Sequence, residues 1–280
     1  MMYFEIIDFE FLILFSIIFF INIMIINYRF TIANYFKIID VPNERKIHKD
    51  PTPLTGGISY FLTLLIILIY IFFKSQVNIE KFISLISIYT VFFFIGFFDD
   101  IKSLSAKLRT FLIITSLILL IIFDKDFVIY NLNFKSFNSI YNLSYFSSLF
   151  TLFCIFALYN ALNFIDGHNG SATSIILFWS IYLLIKNPNI LYLIVILISL
   201  LIFLYNLSGK LFLGNSGTSL ISIFFSLSVI NEHNIGKIYA DEILLLLLFP
   251  GMDMIRVTAQ RLFNKKKIYN PDKTHFHHYL

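Results

Sequence analysis

The sequence predicts an all-α polytopic membrane protein of about nine transmembrane helices, and three observations predict it. Of its 280 residues, 58% are apolar and only 14% charged, where a soluble domain has about 45–50% and about 25%. The apolar residues arrive in long runs closed by short polar punctuation. At roughly 20 residues per span, nine spans consume about 180 residues and leave about 100 for connections, too few for a second folded domain. Residues 1–280 are therefore read as one integral-membrane domain, which excludes a soluble or disordered chain.

The candidate spans are about 9–27, 56–73, 82–98, 108–123, 147–163, 172–185, 190–206, 217–231 and 243–259. Before the first, Glu5, Asp8 and Glu10 stand without any Lys or Arg, the wrong flank for a cleaved signal peptide, so the N-terminus is expected to be retained. The single cysteine, Cys154, lies inside an apolar run, which excludes an intrachain disulfide. No basic cluster sits on a soluble amphipathic element, so nucleic acid is not an expected partner. Between the fourth and fifth spans, residues 124–146 alternate apolar and polar side chains, which suits a short hairpin or a plain loop.

Nine spans divide the connections between two faces. One receives 28–55, 99–107, 164–171, 207–216 and the tail from 260; the other receives 74–81, 124–146, 186–189 and 232–242. Fifteen of the 21 Lys and Arg residues fall on or just inside the first face. The positive-inside rule makes that face cytoplasmic, with the N-terminus outside and the C-terminus inside.

The cytoplasmic connections carry the chemistry. In 28–55, Pro42, Pro51, Pro53 and the Gly56-Gly57 pair prevent a continuous helix. Arg45, Lys46, His48 and Lys49 then sit beside the membrane, able to hold anionic lipid headgroups or a phosphorylated substrate. Span three ends in Asp99-Asp100. Adjacent carboxylates repel unless a cation or basic group offsets them, and helix neighbours point about 100° apart, so the two need not do one job. Lys107 and Arg109 follow closely; a metal site and a structural charge cluster both fit. Asn160 and Asn163 share a helical face, suited to a nucleobase or sugar hydroxyls, or to bonding neighbouring helices. Asp166 adds a third carboxylate, and His168 reads as an incidental residue of the turn.

Gly214-Asn215-Ser216-Gly217-Thr218 precedes a helix start, where free N–H groups favour phosphate or are satisfied by ordinary capping. Asp253 and Arg256 can pair within the ninth span, as a functional element or an internal structural pair. His275, His277 and His278 crowd the tail with Lys273, fit for a transition metal or for hydrogen bonds to phosphate.

Taken in order, DVPNERKIHKDPTPLTGG, GFFDD with LSAKLR, NALNFIDG, LGNSG, P-x-x-D and PDKTHFHH span residues 40–278. The set resembles the polyprenyl-phosphate N-acetylhexosamine-1-phosphate transferases, bacterial membrane enzymes whose superfamily includes phospho-N-acetylmuramoyl-pentapeptide transferase. HFHH looks like the H-x-H-H of the hexosamine branch. The resemblance implies a multi-pass enzyme of the bacterial cytoplasmic membrane with its active site on the cytoplasmic face. It would transfer N-acetylhexosamine 1-phosphate, N-acetylglucosamine as the first choice, from a UDP-sugar to undecaprenyl phosphate. UMP is released and a surface polysaccharide such as O-antigen is started. The implied cofactor is Mg²⁺, with Mn²⁺ able to replace it.

By the same resemblance, Asp99, Asp100, His277 and His278 are the catalytic candidates. Lys46, His48, Lys107, Arg109, Asn160, Asn163, Asp166 and His275 are the substrate-binding ones, and Asp99, Asp100, Asp166 and Asn215 the metal ligands. Asp253 matches a recurrent Asp without an assigned role. Membrane lipids surround the chain, and a homodimer is left open.

Two departures stand out. Asn215 and Asn169 occupy positions where relatives carry Asp, and the chain ends at Leu280 where relatives continue into another span. A pentapeptide-transferase-like enzyme and a catalytically inactive homologue are the alternatives. A transporter is disfavoured, because the ionisable residues lie at one edge and no internal repeat is visible.

Overall fold

The computed structural model describes residues 9–42, 50–75 and 78–263. Lys46, His48, His275, His277 and His278 lie outside these residues. Within them the chain is an all-α bundle of α1 (Phe9–Asn27), α2 (Arg29–Phe36), α3 (Gly56–Ser75), α4 (Ile79–Ile101), α5 (Ala106–Phe123), α6 (Ser147–Ile165), α7 (Ser171–Lys186), α8 (Ile190–Leu207), α9 (Gly214–Asn234), α10 (Ala240–Leu246) and α11 (Leu248–Phe263). Two small antiparallel pairs join them, β1 (Ile39–Asp40) with β2 (Thr52–Pro53), and β3 (Asn131–Phe134) with β4 (Ser139–Asn142). Among the described residues, six helices are long and apolar enough to cross a membrane: α1, α3, α4, α5, the segment ending in α6, and α8. The protein is thus polytopic.

The helices match the apolar runs closely, and α1 starts and ends where its run does. In the first polar connection, α2 forms ahead of the proline-rich stretch. It ends at Lys37, whose left-handed φ of 59° turns the chain into β1 while the Ile38 amide bonds back to Ala33. The 124–146 segment does contain a hairpin, with the Asp241 carboxylate accepting from the turn amides of Lys135 and Ser136.

Two expected spans take another form. The eighth is α9, the bundle's central helix, buried along most of its length against α3, α4, α6 and α7. Its small residues explain this: glycines and serines let neighbouring backbones approach closely. A Cβ on Gly96 of α4 would stand 2.2 Å from the Asn215 carbonyl oxygen, and one on Gly57 of α3 would stand 2.5 Å from the Gly217 amide nitrogen. The ninth is broken at Leu247 into α10 and α11. Pro250 has no N–H for the Leu246 carbonyl, which instead accepts from the Trp179 indole at 3.2 Å.

The connections gather at two ends of the bundle. At one, which we term the near end, Arg29 donates to the Lys210 carbonyl, Thr52 to the Gly209 carbonyl, and Asn206 accepts from the Gly170 amide. The amides of Gly56 and Gly57 bond the carbonyls of Phe212 and Leu213, tying the chain before α3 to the chain before α9. At the far end, Lys74 pairs with Glu10, Lys81 with Asp126, and Lys186 with Glu242. These groupings follow the two faces inferred from the parity of the spans.

Candidate active site

The near end collects the polar side chains of α4, α5, α6 and α9. The last turn of α4 sends its two carboxylates in different directions, as the 100° helical step requires. Asp99 is buried and turns to α5: one oxygen accepts from Arg109 at 2.7 Å and the other from the Leu104 amide at 2.7 Å. It thereby fixes the turn between α4 and α5 and holds the guanidinium near Tyr159 of α6.

Asp100 turns to α9. Its Oδ1 accepts from the Asn215 amide at 2.7 Å, and its Oδ2 from the Ser216 amide at 3.0 Å and the Ser216 hydroxyl at 2.8 Å. The local sequence of α9 supplies no side-chain cap of its own, since the preceding residue is Leu213. A carboxylate from another helix therefore satisfies amides that a helix start leaves unpaired, and its charge complements the helix dipole. Gly214 is needed there: its φ is +72°, and a Cβ would stand 2.7 Å from Asp100 Oδ2. The phosphate reading of this motif gives way to the capping one in this arrangement, because an anion already holds both amides.

Asn215 points its amide toward α6, where Asn163 Nδ2 approaches its Oδ1 at 3.5 Å. Asn160, one turn earlier on α6, donates to the Phe156 carbonyl of its own helix at 2.8 Å. Asp166 ends α6 and accepts no hydrogen bond among the described residues. Burial, with the carboxylates of Asp100 and Asp40 adding repulsion, pushes it up from the ordinary carboxylate range to about 7. Lys107, two residues before Arg109 on α5, is exposed.

Asp40 is the residue that sequence reasoning passed over. It stands on β1, opposite Thr52 of β2, near enough to raise Asp166. The only signal was its place at the head of the proline-rich motif, where the basic residues drew attention instead. Asp253 is buried on α11 and pairs with Arg256 one turn on at 2.7 Å, within a helix that packs on α6.

The structure thus brings together Asp100, Asn163, Asp166 and Asn215, with Asp40 beside them, and sets Asp99 with Arg109. Among the described residues, no three His, Cys, Asp or Glu side chains form a ready metal cluster. The donors that do converge are carboxylate and amide oxygens, the chemistry that a hard cation such as Mg²⁺ prefers. The Asp100 carboxylate repels Asp166, whose ionisation burial also opposes, and a cation between them would relieve both. Asp99 fits that role less well, since the Arg109 guanidinium already offsets its charge at 2.7 Å.

Residues 82–232 match the glycosyl transferase family 4 profile. The chain is similar to the undecaprenyl-phosphate alpha-N-acetylglucosaminyl 1-phosphate transferase of Thermotoga maritima, 30% identical over 250 residues, covering 88% of this chain and 74% of the relative. The proteins of the same name from Yersinia pestis and Escherichia coli K12 are each 26% identical. They cover 87% and 89% of this chain and 69% and 70% of their own lengths.

Proposed function

The chain belongs to glycosyl transferase family 4, and from that premise we propose that it transfers a sugar 1-phosphate from a UDP-sugar to undecaprenyl phosphate. The observation that carries the reading is the convergence of Asp100, Asn163, Asp166 and Asn215 from three helices at one end of an apolar bundle. N-acetylglucosamine is the sugar the relatives' names favour. The product lipid would start a surface polysaccharide.

In the proposed reaction an oxygen of the lipid phosphate attacks the phosphorus that bears the sugar, and the bond to UMP breaks. Reactions of this class depend on positioning and charge neutralisation more than on covalent catalysis. Asp166, Asn215 and the remaining lone pair of Asp100 Oδ1 would hold Mg²⁺, which supplies positive charge against the phosphates when bound. Asp100 holds the α9 start, and with it the Asn215 side chain, at a fixed place. Asp99 fixes Arg109, whose guanidinium offers a cation at the bundle edge. Lys107, Lys46, His48 and the tail histidines are proposed to bind phosphate oxygens. The apolar flanks of the bundle leave the polyprenyl tail in the membrane while its phosphate reaches the near end.

We also propose that α7, α9 and the α10–α11 pair complete a nine-span topology with the near end in the cytoplasm. Impermeant thiol labelling of cysteines placed at positions 46 and 168, in a background lacking Cys154, is expected to fail in intact cells; ready labelling would reverse the orientation. The activity itself is tested by UMP release from UDP-N-acetylglucosamine, which should require both undecaprenyl phosphate and Mg²⁺. A second reading, a catalytically inactive homologue, is favoured by Asn215 with its uncharged amide. Absence of UMP release with every polyprenyl phosphate and UDP-sugar offered would select it.

A further inference from the structure

We propose that the far end carries a binding cleft for a neutral, hydroxyl-rich ligand of one or two sugar rings, lying between β3 and the last turns of α9. The cleft has a volume of about 360 Å³, at the small end of ligand pockets, which begin near about 300 Å³.

Its walls are built from asparagines on two elements. Strand alternation places Asn131 and Asn133 on one face of β3, and the i,i+3 spacing places Asn231 and Asn234 on one face of α9. All four line the cleft. His233 joins the two elements: its ring nitrogens lie 2.8 Å from the Ile238 carbonyl and 2.9 Å from the Asn131 carbonyl. Asn234 spends its amide protons on the carbonyls of Asp126 and Val128, leaving its oxygen unbonded among the described residues. The side chains of Asn131, Asn133 and Asn231 make no hydrogen bond among the described residues. A cleft lined by amides that no described protein group engages is open to a polar ligand.

The chemistry selects which ligand. Lys81 and Asp126 at the rim neutralise each other at 3.0 Å, so the cleft presents no unopposed charge to a phosphate or an ammonium group. Each amide both donates and accepts, as does each hydroxyl of a sugar. Tyr130, half exposed at the cleft edge, offers its ring to the C–H face of a pyranose. The ligand can arrive as a free sugar or as the headgroup of a glycolipid.

The full chain in lipid nanodiscs separates these sources. In one arm, saturation-transfer difference NMR reads binding of free glucose and of N-acetylglucosamine. In the other, the nanodiscs contain a monoglucosyl diacylglycerol and the same readout is taken on its headgroup. Asn231→Ala removes one cleft amide without breaking any bond described here, so its melting temperature and UMP release should match the parent. It should lower the transfer signal at least fivefold in whichever arm shows binding. Asp166→Asn, at the opposite end, should leave that Asn231-dependent signal in place. A signal in the glycolipid arm alone would make the ligand membrane-borne. No Asn231-dependent signal in either arm would overturn the proposal and leave the cleft as a hydrated surface.

Discussion

The Asp100 carboxylate accepts the backbone amide of Asn215 at 2.7 Å across the α4–α9 interface, 115 positions along the chain. One side chain on α4 therefore determines where the central helix starts and which way Asn215 faces. The same contact makes Asp100 both an architectural group and a member of the candidate site.

Asp100→Ala is expected to leave two α9 amides and the Ser216 hydroxyl without their acceptor. Loss of a cap costs about 0.5–2 kcal/mol, so the melting temperature in detergent should fall while UMP release drops at least about tenfold. Asp100→Asn keeps one acceptor oxygen but turns an NH₂ toward the other α9 amide, so it should recover only part of the stability and little activity. Full activity in the Asn variant would remove the need for negative charge here.

Asp99 and Arg109 should behave as one unit. Asp99 is 4% exposed in its side chain, and breaking a buried pair from either side leaves an uncompensated charge worth about 3 kcal/mol. Asp99→Ala and Arg109→Ala are each expected to lower stability markedly, and the double variant to cost clearly less than their sum. Additive losses in a double-mutant cycle would show that the pair is not coupled.

Asp166 links stability to pH. Its folded value of about 7 lies above its ordinary value of 3.8, so between those two pH values the folded state binds more protons than the unfolded state. Stability without added metal should therefore fall as pH rises through that window, with no further loss from this group above it. Asp166→Asn should flatten the trend. Parallel pH–melting curves for the two proteins would contradict the burial of this carboxylate.

Gly96→Ala tests the closest approach of α4 and α9. The added carbon meets backbone 2.2 Å away, which no side-chain rotation relieves, and overpacking of this kind costs about 1–3 kcal/mol or more. Folded yield after detergent extraction should collapse. Gly251→Ala, with nothing within 4 Å of the added carbon, serves as the matched control.

Asn215→Asp asks whether this position meets the metal. An amide oxygen ligates Mg²⁺ without charge, and Mg²⁺ keeps few protein ligands beyond its waters. The variant is expected to need less Mg²⁺ and to turn over faster when metal is limiting. Superimposable Mg²⁺ titrations of two active proteins would place Asn215 away from the metal.

The spans were legible because burial in a membrane demands long apolar runs, and α1, α5 and α8 follow theirs to within a residue or two. The division of Asp99 and Asp100 between two tasks was also legible, since adjacent helix positions diverge. Three features were not. The run 217–231 reads as one span among nine, and only its neighbours show that α9 is the helix around which the others pack. Pro250 sits inside the run 243–259, which reads as one unbroken span, and the Trp179 indole that donates to the freed Leu246 carbonyl lies 67 positions away. Asp40 looked like a loop residue, and its effect on Asp166 crosses more than a hundred positions.

By itself the sequence determined what local rules govern: which segments are helical, which are apolar enough for a bilayer, and which short motifs carry oxygen donors and cations. Side-chain period and hydropathy act over a few residues, and those properties are complete within each run. The tertiary structure alone decided partners. Asp100 caps α9, Asn163 meets Asn215, and Asp40 faces Asp166 only because closely packed helices bring distant turns to one end. A hydrogen bond or a carboxylate repulsion depends on distance in space, which no spacing along the chain encodes.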